Sequence, residues 1–185
     1  MTEHLPTPGQ TVGPFFHYAL PYPGDHMLVS ERARDAIQLH GSVYDGQGQP
    51  VADALIELWQ PDSTGRVAQR AGSLRRDGWT FTGWGRAATN AAGGYSFTTV
   101  TPGAVAPNSP AYFGLTVFAR GLLHRLFTRA YLPVSEATFD SLLPELDPER
   151  RRTLICSADA TGYRFDIHLQ GERETTFLRY GAGRP

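Results

Sequence analysis

Glycine and proline recur so often in this chain that a long helix would be interrupted almost everywhere. Together they account for 34 of the 185 residues, about 18%, where an average chain has roughly 12%. The stretches between them are short, and in many of them apolar and polar residues alternate, which is typical of half-buried strands. This pattern predicts an all-β fold rather than a helix bundle, and the length suits a single domain.

The predicted strands are short and are separated by glycine, proline and asparagine turns. They lie at 37–44, 54–59, 79–84, 95–100, 112–119, 122–131, 154–157, 163–169 and 175–178. One segment, 135–146, looks helical, with Phe139, Leu142 and Leu143 on one side and Pro144 limiting the run. We therefore predict a β-sandwich of about eight or nine strands with one short helix, occupying residues 26–185 as one domain.

Residues 1–25 differ in composition from the rest of the chain. They are rich in proline, glycine and aromatic residues, so they suit neither a helix nor a central strand. They also carry more aromatic rings than a solvated tail would. We predict an extended N-terminal arm whose rings pack against another subunit.

Charge and cysteine content exclude several classes of protein. The 17 basic and 18 acidic residues nearly cancel, so no basic surface for nucleic acid or an anionic membrane is expected. Every basic residue is arginine, which excludes a Schiff-base lysine and a P-loop lysine. Cys156 is the only cysteine, and its apolar neighbours predict a buried, inert thiol. Without a signal-peptide pattern or a long apolar run, we expect a cytoplasmic protein.

No local motif for a catalytic or metal site stands out. The six histidines include no pair at the i, i+2 or i, i+4 spacing of a metal clamp, which leaves open only a site gathered from scattered ligands. Glu57 alternates with apolar residues on a predicted strand and is either a general base in a cleft or part of a solvated face. Asp45, Asp53 and Asp62 fall in turns, where we expect each carboxylate to accept hydrogen bonds from its own backbone.

Arg120 is the most informative charged residue. It ends an apolar strand and precedes Gly121. A guanidinium held at a rigid strand end suits bidentate capture of a carboxylate. The alternative is an ordinary salt bridge between strands.

Six segments, taken in order along the chain, resemble the intradiol ring-cleavage dioxygenases. They are PGQTVGPFFH (8–17), GSVYDG (41–46), ALIELWQ (54–60), VFARG (117–121), TRAY (128–131) and YRFDIHLQGE (163–172). Each segment alone is a weak signal, whereas six in register are specific. The similarity is greatest to the alpha subunits of the members built from two kinds of chain.

The resemblance implies a β-sandwich and a non-haem ferric ion held by two tyrosines and two histidines. In this chain one tyrosine position falls in Gly65-Arg66-Val67, the second in the loop Pro102-Gly103-Ala104-Val105, and the two histidine positions fall near Tyr112 and Gly114. Only Tyr112 has a side chain that binds Fe³⁺. The resemblance therefore implies no metal ligand set and no catalytic residue in this chain, with Fe³⁺ bound by a partner beta subunit instead.

The resemblance also implies where the substrate lies. The wall that this chain would contribute to an active site at the alpha–beta interface consists of Thr11, Gly13, Pro14, Phe15 and Arg120. The substrates would be 3,4-dihydroxybenzoate and O₂, the product 3-carboxy-cis,cis-muconate, and Arg120 would favour the ring carboxylate. The family often has tyrosine where Phe15 stands, so one hydroxyl is absent here.

Two other functions stay open from the sequence. One is a homo-oligomeric intradiol dioxygenase with a relocated iron site that acts on another catechol. The other is a β-sandwich module that binds aromatic acids without catalysis.

Overall fold

The computed structural model describes residues 10–13, 15–69, 76–77, 79–107, 109–134, 138 and 143–179. Nine strands lie in this part of the chain, namely β1 (Ala36–Tyr44), β2 (Leu55–Trp59), β3 (Trp84–Ala88), β4 (Gly94–Val100), β5 (Tyr112–Phe118), β6 (Leu126–Tyr131), β7 (Ser157–Ala158), β8 (Gly162–Arg164) and β9 (Ile167–His168). Two short helices lie wholly within it, α1 (Phe16–Ala19) and α2 (Pro148–Arg152). No helix in these ranges has the length and apolar character needed to cross a membrane.

The strands form two sheets, which confirms the predicted all-β sandwich. In one sheet the order is β4-β1-β8-β7, with β9 also paired to β1, and in the other it is β3-β2-β5-β6. Pairing is antiparallel throughout the second sheet, whereas β8 and β9 run parallel to β1 in the first. The core lies between the sheets because alternate residues of each strand point inward.

Large apolar side chains from both sheets fill this core. Leu39 and Phe97 of the first sheet and Ile56, Phe113 and Val117 of the second are all completely buried. Burying each such side chain stabilises the fold by about 1.5–3 kcal/mol. The interlocked sheets therefore give the rigid frame that holds the loops at both ends of the strands.

Two predicted strands begin later than the sequence suggested. The run at 79–84 is wrong except for its last residue, because Asp77 accepts hydrogen bonds from the amides of Trp79 and Thr80 and forms a turn there. The run at 122–131 becomes a strand only at Leu126, because the chain turns through Gly121 at a φ of 91°. The last predicted strand, 175–178, makes only one isolated bridge, between Leu178 and Phe127.

The helices also differ from the prediction. Most of the expected helix at 135–146 lies outside the described residues, and its end at 143–146 is a turn with Leu143 at a φ of 48°. The sequence reading missed α2, although Asp147 accepts a hydrogen bond from the amide of Glu149 and Pro148 occupies the first turn. An aspartate followed by proline is a typical helix start.

The described part of the N-terminal arm is not fully extended, since it contains the single turn of α1. After α1 the chain follows its own sandwich. Arg86 Nη1 donates to the carbonyl of Leu20 at 3.1 Å, Arg76 Nη2 donates to the hydroxyl of Tyr22 at 3.2 Å, and Leu28 is buried in the core. The boundary at residue 25 and the packing of the arm on another subunit stay predictions.

Candidate functional site

The register of two neighbouring strands places Arg120 beside an acidic residue. Leu55, at the start of β2, is paired with Phe118, at the end of β5. Two residues beyond each, Asp53 and Arg120 therefore lie next to one another. Arg120 Nε and Asp53 Oδ2 are 3.1 Å apart.

This ion pair bears on both interpretations of Arg120 that the sequence allowed, a residue that binds a carboxylate and an ordinary salt bridge between strands. The salt bridge exists, yet the Arg120 side chain remains 64% exposed, while that of Asp53 is only 17% exposed. The Asp53 carboxylate thus lies against the Nε side of the guanidinium, while most of the Arg120 side chain stays accessible to solvent. The expectation that Asp53 accepts hydrogen bonds from its own turn is wrong, because its carboxylate binds Arg120 instead.

Arg120 lines an open cavity of about 820 Å³ together with the N-terminal arm. Phe15, His17 and Tyr18 form one side of the cavity, and the loop that carries Asp53 forms the other. Two residues predicted for a substrate wall, Phe15 and Arg120, are therefore brought together by the fold. The cavity volume suits a small organic ligand.

The other predicted wall residues belong to the same arm. Thr11 and Gly13 are exposed, and neither is among the residues lining the cavity. Pro14 lies outside the described residues. Among the residues that the structure describes, a methyl group added at Gly13 would meet no atom within 4 Å apart from its chain neighbours, so their packing does not require glycine there.

The aromatic rings of the arm face outward. Phe15 and Tyr18 are each 71% exposed, although their ring centroids lie 6.4 Å apart and the centroid of the His17 ring lies 3.9 Å from that of Tyr18, with the two ring planes tilted by 38°. Isolated apolar residues are normal on a protein surface, but rings gathered at the edge of a cavity mark an interaction site. The high aromatic content of residues 1–25 had already predicted an interaction surface in this arm.

A second cavity, of about 330 Å³, lies at the far end of β2 and β5. It is lined by Val67, Val105, Tyr112 and Gly114, together with the exposed ring of Trp59. Val67 and Val105 belong to the two segments, and Tyr112 and Gly114 mark the region, where the resemblance to intradiol dioxygenases places the iron ligands. The fold brings all four together in one place.

Two glycines explain how the loops bearing Val67 and Val105 meet. A side chain at Gly65 would approach the Ala104 carbonyl oxygen to 2.0 Å, and one at Gly103 would approach the Gly65 nitrogen to 2.4 Å. Only glycine permits this contact between the two backbones. In the first loop, hydrogen bonds from Thr64 and Arg66 to Asp62 lower the pKa of that carboxyl group, as expected for a turn-forming aspartate.

The residues of this second cavity do not fit a ferric ion. Valine and glycine offer no donor atom, and one tyrosine does not make an iron site. In the part of the chain that the structure describes, no group of three histidine, cysteine, aspartate or glutamate side chains is arranged to hold a metal ion. The described residues of this cavity therefore offer no ligand set for iron.

The two cavities lie at opposite ends of the same strands. Gly114 is six residues from Arg120 along β5 and its continuation, which is about 20 Å at the rise of a strand. An arginine side chain does not span that distance. Arg120 is therefore too far from the second cavity to contact a ligand bound there.

Other predicted polar residues have structural partners. Glu57 Oε1 accepts from Arg86 Nη2 at 2.7 Å in a largely buried pair, so it is neither a solvated side chain nor a free general base. The buried Cys156 thiol donates to the Tyr131 carbonyl at 2.8 Å, and burial raises its pKa to about 12. This confirms the predicted inert thiol.

Comparison with known proteins agrees with the resemblance found in the sequence. A family model described as "Dioxygenase" matches residues 13–171. The protocatechuate 3,4-dioxygenase alpha chain of Pseudomonas putida is 38% identical over 204 residues, covering 96% of this chain and 98% of that relative. The chain belongs to the intradiol ring-cleavage dioxygenases. The beta chain of the Burkholderia cepacia enzyme is 31% identical over 182 residues, covering 85% of this dioxygenase chain and 76% of the relative.

Solved structures support the same fold. The dioxygenase domain of a dioxygenase and carbohydrate-binding fusion protein from Streptomyces sp. SirexAA-E superposes with a TM-score of 0.59 at 24% identity, covering 90% of this chain and 99% of that domain. At this identity the similarity shows the sandwich fold alone. The family implies a non-haem iron centre, which contrasts with the donor-poor second cavity of this dioxygenase chain.

Proposed function

We propose that this chain is the alpha subunit of a protocatechuate 3,4-dioxygenase, and that it binds no iron itself. Its partner is an iron-bearing beta subunit, and the complex cleaves 3,4-dihydroxybenzoate with O₂ to 3-carboxy-cis,cis-muconate. This chain supplies one wall of the active site at the interface. The wall consists of Thr11, Gly13, Pro14, Phe15 and Arg120.

The separation of the two cavities carries this proposal. Arg120, the residue suited to a carboxylate, lies about 20 Å along β5 from the positions where family members hold iron. A metal at those positions could not share a substrate with Arg120. The arginine is therefore useful to catalysis only if another chain brings the iron to it.

Each element of the wall has a physical role in the proposal. The terminal nitrogens of the Arg120 guanidinium bind the ring carboxylate, and this contact distinguishes 3,4-dihydroxybenzoate from catechol. The exposed rings of Phe15 and Tyr18 pack against the beta subunit and exclude water from the closed site. Orientation of the substrate and exclusion of water are contributions to catalysis that need no metal ligand in this chain.

A cytoplasmic location completes the proposal. Its support is Cys156, a single buried thiol that needs no oxidising compartment.

The test is to purify this chain alone and together with an intradiol beta subunit that carries the tyrosine and histidine ligands. We expect the lone chain to be iron-free, colourless and inactive, and the complex to be coloured and to cleave 3,4-dihydroxybenzoate. Iron and turnover in the lone chain would refute the proposal in favour of a homo-oligomeric enzyme. A lone chain that never associates with the beta subunit, yet binds aromatic acids, would indicate a binding module.

A further inference from the structure

Arg120 does not meet the cavity as a free side chain, because Asp53 holds one edge of its guanidinium. The contact is made by Nε, at 3.1 Å from Oδ2. A guanidinium offers a carboxylate either its Nε edge or the edge formed by its two terminal nitrogens. Because Nε lies nearest to Asp53 and the Arg120 side chain is 64% exposed, we expect the terminal edge to be open to a ligand.

The surroundings of the pair support a fixed arrangement. Asp53 is largely buried two residues before β2 begins, and the register of β2 with β5 fixes the distance between the two backbones. Ala119, just before Arg120, is itself buried and anchors the strand end. Among the residues that the structure describes, Arg120 forms an ion pair with Asp53 alone.

We propose that Asp53 is a positioning residue for the substrate carboxylate, acting through Arg120. By holding Nε, it aims the terminal edge of the guanidinium into the cavity, where that edge forms a bidentate pair with the carboxylate of an aromatic acid. The inference rests on the proposed function of Arg120. It adds a residue that the sequence assigned to turn formation alone.

The physical effect is pre-organisation. An arginine side chain has many rotamers, and a ligand that must restrict it to one of them binds more weakly. A built-in carboxylate fixes the side chain before the ligand arrives. Losing it should weaken binding of the carboxylate substrate and leave a substrate without a carboxylate unaffected.

The experiment measures KM and kcat of the complex with the beta subunit for 3,4-dihydroxybenzoate and for catechol. We expect Asp53→Ala to raise KM for 3,4-dihydroxybenzoate by about three- to tenfold, the range for releasing one long side chain. The kcat and the KM for catechol should stay unchanged. Asp53→Asn retains an acceptor oxygen for Nε and should recover part of the loss, which a purely structural role would not predict.

Asp45 provides a matched control. It lines the same cavity, but its Oδ1 accepts from the amides of Gln47 and Gln49 and does not contact Arg120. Asp45→Asn removes the same charge from the same cavity, and asparagine retains the turn. We expect no change in the KM ratio of the two substrates.

Combining Asp53→Ala with Arg120→Ala separates failure of this inference from failure of the proposed function. In Arg120→Ala, the further change Asp53→Ala should have no additional effect on KM, because both act through one guanidinium. If Arg120→Ala is selective for 3,4-dihydroxybenzoate and Asp53→Ala is not, only the role of Asp53 is overturned. If Arg120→Ala affects both substrates equally, the carboxylate contact itself is wrong, and the role of Asp53 falls with it.

Discussion

Replacing Arg120 with alanine tests the central contact of the proposed active-site wall. Asp53 lies against Nε of Arg120 and the Arg120 side chain is 64% exposed, so we expect its two terminal nitrogens to be available to a ligand. A hydrogen bond to a charged group contributes about 1.5–3 kcal/mol when water is excluded. An exposed ion pair contributes only about 0–1 kcal/mol.

The two free-energy ranges, for a buried and for an exposed contact, predict different changes in KM for Arg120→Ala. In the isolated chain the Arg120 side chain is 64% exposed, so only burial by a partner brings the larger value. In the complex with the beta subunit, we expect Arg120→Ala to raise the KM for 3,4-dihydroxybenzoate relative to catechol by about 10- to 100-fold. A change of less than about fivefold would mean that the guanidinium stays solvated in the complex.

The assay is steady-state oxygen uptake by the complex with each substrate. Arg125→Ala is a matched control, because that guanidinium lies 5.1 Å from the centre of the Phe127 ring, outside the Arg120 cavity. Arg120→Lys keeps the charge but lacks the bidentate edge of the guanidinium. Its ratio of KM values for the two substrates should lie between those of the unmodified chain and Arg120→Ala. Equal effects of Arg120→Ala on both substrates would refute the carboxylate role and leave a structural one.

Three further predictions concern other parts of the chain. Gly13→Ala should change the free energy of urea unfolding of the lone chain by no more than about 0.5 kcal/mol, because the added methyl group meets no described residue other than its chain neighbours. In the complex it should lower kcat/KM by fivefold or more, because overpacking costs about 1–3 kcal/mol. Unchanged turnover would remove Gly13 from the wall. Glu57→Ala should cost about 1–3 kcal/mol in urea unfolding, because Arg86 loses its 2.7 Å partner while still bound to the Leu20 carbonyl; a wild-type midpoint would contradict this. Cys156 should resist a maleimide at pH 8 until the chain unfolds, because its pKa is raised to about 12. Since the unfolded thiol loses its proton at lower pH, this group's contribution to stability should decline from about pH 9, and rapid labelling of the native chain would show that the thiol is accessible.

Much of the fold follows from local sequence patterns. Alternation in the runs that became β1, β2, β4 and β5 predicts those strands because one face of each is buried. The run at 79–84 failed because the Asp77 side chain competes for the backbone amides that a strand would need. The Asp-Pro start of α2 was a readable signal that a search for apolar periodicity overlooked.

The amino-acid sequence alone predicts the sandwich class, the family resemblance, the aromatic N-terminal arm and the lack of an iron ligand set, since Tyr112 is the one residue at the family's ligand positions that can bind Fe³⁺. These depend on residue types and on spacing along the chain, which need no coordinates. Which residues lie in contact, in contrast, follows from the tertiary structure. The register of β2 with β5 places Asp53 on Arg120, and the length of the same strands keeps Arg120 away from the cavity that contains Val67 and Gly114. Such contacts join residues far apart in sequence, and strand pairing sets them because a shift of one residue would move every side chain to the opposite face.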